Sequence, residues 1–238
     1  RFYMLNASPV WTPLKFDEEG VKEVQSKFFN TLKNTYTFFQ MYANTDNVDA
    51  RTFEVDKKDL EEIDKWLLSK YNRLISDVTN SMDEYDLNKA VKYINTFVNE
   101  DLSNWYIRRN RRRFWGSELD NSKKAVYKTT YQVLVGLSKL LAPIAPFISD
   151  EIYVNLTEEE SVHLAKYPEV DTSMINEKIE ERMDLVRELI TLGRNAREEA
   201  NIKVRQPISE VILDGKVESI ISDLSDLIFI LYCDLISY

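Results

Sequence analysis

DLNKAVKYINTFVNEDLSNWYIRRNRRRFW, from Asp86 to Trp115, carries the reading on which the fold turns. Asp86 is a helix-capping residue type, and Leu87, Val91, Ile94, Val98, Leu102 and Trp105 follow at steps of three and four. That spacing puts all six on one face of an α-helix. Continued past Trp105, the stripe meets Arg109 and Arg112, with Arg108 beside them, where leucine or valine is expected. Arg111 and Arg113 fall on other sides and are expected to project into water. The last half, DLSNWYIRRNRRRFW, holds five arginines against one aspartate in a chain whose net charge is −9.

The flanking sequence repeats the helical pattern. Asp17 can cap a helix whose stripe is Val21, Val24, Phe28, Leu32, Tyr36 and Phe39. Asp59 with Glu62 resembles a capping box, followed by Leu60, Ile63, Leu67, Tyr71, Leu74, Val78 and Met82. A fourth helix starts near Asn121 or Ser122 and runs to Pro143, and Pro146 suits the first turn of a fifth, ending near Leu156. A sixth begins near Asn176, uses Ile179, Met183, Val186, Ile190, Gly193 and Ala196, and must end before Pro207. ISEVILDGK then reads as a strand and turn, and Val217 to Leu231 as a last helix. Short links between long amphipathic helices imply antiparallel neighbours. The fold class expected is therefore mainly α: an antiparallel helix bundle with a small C-terminal α/β appendix.

Composition agrees. Five glycines and six prolines in 238 residues are too few to turn a many-stranded fold. Cys233 stands alone, which excludes an internal disulfide and a cysteine-rich zinc site and fits a reducing cytosol. The apolar tract Leu227 to Tyr232 is far too short to span a bilayer. A chain that opens on RFYML and stops on an apolar run is expected to be a piece of a longer protein.

The catalytic search returns mostly exclusions. A single histidine, His163, rules out any two-histidine motif within this chain, and its loop setting suits an ordinary surface residue. Glycine-rich phosphate loops, GxSxG elbows and CxxC pairs are missing. Asp150 and Glu151 are adjacent carboxylates of a kind common on helices. No catalytic residue and no metal ligand is expected.

The arginines point elsewhere. One or two can pair with acids on a neighbouring helix such as Asp150 or Glu151, Arg108 and Arg109 being the candidates. Five cations interleaved with Trp105, Tyr106, Phe114 and Trp115 suit phosphates and unpaired bases, which makes RNA the sharper expectation. The segment GRNAREEANIKVRQP adds Arg194, Arg197, Lys203 and Arg205, with Arg194 and Arg197 on one helix face. Two candidate RNA surfaces result: Arg108, Arg109, Arg111, Arg112, Arg113 and Trp115, and then Arg194, Arg197, Lys203, Arg205 and Gln206. A net negative chain is compatible with this, since distant carboxylates are screened beyond roughly 8 Å.

RFYMLNASPVWTPLKF, QSKFFNTLKNTYTFF, DKWLLSKYN, DLSNWYIRRNRRRFW, LAPIAPFISDEIY and AREEANIKVRQP, in this order, resemble the post-catalytic region of isoleucyl-tRNA synthetases, class I aminoacyl-tRNA synthetases. The resemblance covers residues 1 to about 214 and fades past Gly215. It implies three parts: 1–16, the end of a stem-contact segment linking to a catalytic domain absent here; 17–167, an anticodon-binding helix bundle; and 168–238, a C-terminal helix with the α/β segment. It implies a monomeric, cytoplasmic ligase whose partners are isoleucine tRNA and its own catalytic domain, with neither DNA nor membrane. ATP and Mg would serve the parent enzyme and no cofactor this fragment. The catalytic and editing sites would lie upstream. Some family members carry a C-terminal zinc knuckle, which one cysteine cannot form. Three alternatives stay open: the anticodon region of a valyl or leucyl relative, an acidic helical scaffold whose arginines meet an acidic protein, and a helical enzyme domain sharing its site across an interface.

Overall fold

Helix follows helix in the computed structural model, which describes residues 1–203 and 206. A short α1, Phe2–Ala7, precedes α2, which is continuous over 18–46 and contains a π-helical turn at Gln25–Phe29. Next come α3, Glu62–Asp83, and α4, continuous over 87–115. Then come α5, Asn121–Leu141, α6, Pro146–Thr157, and α7, Glu177–Glu199. Among the described residues there is no strand. The expected strand at 208–216, the helix at 217–231, Arg205 and Cys233 lie outside the described residues.

The starts follow from short polar side chains that satisfy the free N–H groups of a first turn. Asp86 accepts from Lys89 N at 3.1 Å, Asp120 from Lys123 N at 2.7 Å and Asn176 from Ile179 N at 3.3 Å. The start of α3 differs from the sequence expectation. The helix begins at Glu62 with Glu61 as its cap, and Asp64, not Glu62, closes the box by accepting from Glu61 N at 3.0 Å. Asp64 wins because its carboxylate is drawn into the protein interior by two partners on α4, described below.

The chain divides into two compact units after Ile175. In the first, α4 is the central helix and packs on α1, α2, α3 and α5, while α6 covers α5. Residues 1–16 and 168–175 belong to this unit, and Asp171 N donates to Asn72 Oδ1 of α3 at 2.8 Å. Trp66, Tyr106, Phe114 and Tyr127 fill the core, each large side chain stabilising by roughly 1.5–3 kcal/mol. Gly136 of α5 is required by close approach: a Cβ there would lie 1.6 Å from the Tyr71 hydroxyl of α3. The second unit opens with α7, whose Ile179, Met183, Val186 and Ile190 are buried as their spacing predicts.

The phase of α4 overturns part of the sequence reading. Phe97–Ile107 is π-helical, and each π turn holds more residues than an α turn. The inward stripe becomes Val98, Leu102, Tyr106, Asn110 and Phe114, a strict step of four, all of them buried. Past Trp105 the buried face is thus displaced by one residue from the α continuation. Arg112, expected inside, is exposed, and Arg113, expected in water, is turned inward.

Candidate nucleic-acid interface

Arg113 sits at the junction of three helices. Its Nη1 and Nη2 donate to Asp64 Oδ1 and Oδ2, each at 2.8 Å, the parallel fork that makes arginine–carboxylate pairs strong and directional. Its Nε donates to Ser122 Oγ at 2.9 Å, and Nη2 also reaches the Ser122 carbonyl at 2.6 Å. Asn110 Oδ1 accepts from Nη1 at 2.9 Å, and Glu61 Oε1 stands 3.2 Å from Nε. Asp64 has no exposed surface, and Tyr106 donates its hydroxyl to the same Oδ1 at 2.6 Å. Burial disfavours the guanidinium charge, but the bonds and charge of Asp64 outweigh it and raise the Arg113 pKa. The Tyr106 hydroxyl is pushed up by burial and by Asp64. The expected acid partners play another part: Asp150 accepts from the Ser161 hydroxyl at 2.7 Å and from Val162 N at 2.9 Å.

With Arg113 withdrawn, Arg108, Arg111, Arg112 and Trp115 remain, all exposed. They lie at i, i+3, i+4 and i+7 in the α-helical end of α4 and so share one face. Trp115 leaves 57% of its surface open. The other aromatics of the cluster belong to the interior: Tyr106 and Phe114 are core residues, with Phe114 edge-on to Phe38 and to Tyr127 at 5.1 Å each. Trp105 is buried, and Arg109, half-buried, lies over its ring at 4.4 Å. The structure therefore brings together four of the six residues in the first expected surface and turns Arg109 and Arg113 to packing.

The end of this face is pinned. Lys123, 3% exposed, pairs with Asp46 at 2.6 Å and donates to the Gly116 carbonyl just past the helix. Sequence reading missed Asp64, Ser122, Lys123 and Asp46. A signal existed only for the inward turn of Arg113, since the four-residue step of Val98, Leu102, Tyr106, Asn110 and Phe114 already places it beside the core.

In the second segment the expectations separate. Arg197 is 5% exposed and donates from Nη1 to the carbonyls of Lys203 at 3.0 Å and Gln206 at 2.8 Å. It is therefore not on an open face shared with Arg194, because the chain past the helix folds back onto it. Arg194 is half-buried, and Lys203 and Gln206 are exposed. Among the described residues no cluster of His, Cys, Asp and Glu could hold a metal, and no helix is long and apolar enough to cross a membrane. His163 is exposed in its loop.

By fold this is the helical-bundle type found in class I synthetases. A crystal structure of the ternary complex of an Agrobacterium radiobacter LeuRS with tRNA and LeuAMS matches 74% of this chain and 20% of that one. The TM-score is 0.55 at 19% identity. Residues 64–213 match the family model of the anticodon-binding domain of tRNA ligase, and the chain belongs to that family. Similar proteins include isoleucine–tRNA ligase of Bacteroides thetaiotaomicron, 42% identical over 219 residues, which are 90% of this chain and 19% of that one. The isoleucine–tRNA ligase of Clostridium novyi is 44% identical over 222 residues, 91% of this chain and 21% of that one. The chain thus spans about a fifth of the length of these curated relatives.

Proposed function

We propose that this chain is the tRNA-docking part of an isoleucine–tRNA ligase, holding the anticodon arm of isoleucine tRNA while a catalytic domain attaches isoleucine. That chemistry would use ATP and Mg in the parent enzyme, a cytosolic monomer, and the present residues would hold neither. The observation that carries the reading is the face of Arg108, Arg111, Arg112 and Trp115, inside the matched family region. Three guanidinium groups suit phosphate oxygens, and one open indole suits stacking on an unpaired base. Arg194, Lys203, Arg205 and Gln206 are the candidates for further tRNA contacts. Residues 1–16 lead toward the catalytic domain. Isoleucine specificity is supported by relatives above 40% identity that carry that name.

The test is competition in a low-salt binding assay. Isoleucine tRNA is expected to bind and to displace valine tRNA, while the chain alone catalyses no isoleucine-dependent exchange of pyrophosphate into ATP. Absence of any tRNA binding would favour the acidic-scaffold alternative.

A further inference from the structure

Arg113 is largely withdrawn from solvent, with 12% of its side chain exposed, yet its bonds bear on where the exposed arginines point. Its partners come from three helices: Asp64 of α3, Asn110 of α4 itself, and Ser122 of α5. A fork held at both ends in this way fixes the rotation of α4 about its axis. One residue of α-helix is a rotation of roughly 100°. A return to the α phase would turn Arg112 toward Asp64 and carry Arg113 outward, breaking up the face of Arg108, Arg111, Arg112 and Trp115. The π segment immediately before it makes such a slip a real alternative, since it is there that the phase departs from the α stripe. Lys123, bonded to the Gly116 carbonyl, holds the helix end but not its rotation.

We propose that Arg113, locked to Asp64, is a positioning residue of the tRNA site: it touches no RNA and sets the phase in which the three exposed arginines and Trp115 meet it. This rests on the RNA-binding reading above.

Arg113→Lys, Arg113→Gln and Asp64→Asn are compared with Arg108→Ala, a one-phosphate reference, well below each melting transition, with isoleucine tRNA as probe. Removing one phosphate-binding cation flattens the slope of log affinity against log salt by about 0.7–0.9. Arg113→Lys, which keeps the charge but not the fork, is expected to flatten it by more than that and to weaken binding tenfold or more. Asp64→Asn removes an acid and on charge alone should tighten binding; it is expected to weaken it. Should Arg113→Gln fail to fold, these two variants still decide. The proposal is overturned if Arg113→Lys binds like the parent, or if Asp64→Asn binds RNA as well or better. If Arg108→Ala also leaves the slope unchanged, the RNA-binding face itself has failed, and the positioning role with it.

Discussion

Lys123 Nζ stands 2.6 Å from Asp46 Oδ2, an ion pair that joins the first turn of α5 to the last residue of α2. The lysine is buried and the aspartate about one-fifth exposed. Removing the acid leaves a buried ammonium facing a neutral acceptor, the Gly116 carbonyl, and orphaned buried charges cost about 3 kcal/mol or more. Asp46→Ala is expected to lower the melting temperature by several degrees in a thermal unfolding scan. Adding Lys123→Met should recover part of the loss.

The same pair sets a pH dependence. Burial alone would raise the Asp46 pKa, but hydrogen bonds from Lys123 and Tyr127 hold it below its ordinary value. Asp49 is held down by Arg51, and Glu158 by the same guanidinium. A depressed folded-state pKa means that the unfolded chain binds protons first as pH falls, so these groups stabilise above the ordinary carboxylate range, near 4, and lose that effect below it. The melting temperature is expected to be flat from about pH 5 upward and to fall below about pH 4. Asp46→Asn should make the acid limb shallower; an unchanged limb would remove Asp46 from the account.

Gly136 faces the buried Tyr71 so closely that an added methyl group must displace the ring. Alanine favours a helix interior over glycine by about 1 kcal/mol, whereas overpacking costs about 1–3 kcal/mol. Gly136→Ala is therefore expected to lower stability in denaturant unfolding. Tyr71→Leu in the same chain should reduce the penalty of the added methyl, as a double-mutant cycle would read out.

The helices were legible because capping side chains and apolar spacing act locally: Asp17 and Asp86 sit where such residues satisfy a first turn. What escaped depended on distance. Nothing near Asp64 in sequence shows that its partner lies 49 residues on, and that partner is what displaces the capping box from Asp59 to Glu61. The π-helical phase of α4 was written in the four-residue step from Val98 to Phe114, but an α template reads Trp105 in place of Tyr106 and so sends the wrong arginine inside. Arg197 was misplaced for a similar reason, since its partners are backbone carbonyls of a segment that folds back onto the helix.

Trp115 is the only aromatic of the arginine cluster with an open ring face. Stacking of a base on an aromatic side chain is worth about 1–3 kcal/mol. Trp115→Ala is expected to weaken tRNA binding by roughly 5- to 150-fold at constant salt slope, and Trp115→Phe to retain most of the affinity. Equal affinity of the alanine variant would place the bound base elsewhere.

The claim that the exposed face of α4 holds tRNA phosphates is tested most directly by the salt dependence of tRNA binding in the triple variant Arg108→Ala, Arg111→Ala, Arg112→Ala. All three side chains are exposed, and surface substitutions usually change stability by about 0.5 kcal/mol or less, so the fold should be retained. If each arginine holds one phosphate, worth about 0.7–0.9 in slope, the plot of log affinity against log salt is expected to flatten by roughly 2 to 3. A folded triple variant that binds isoleucine tRNA with the parent's affinity and slope would contradict the account.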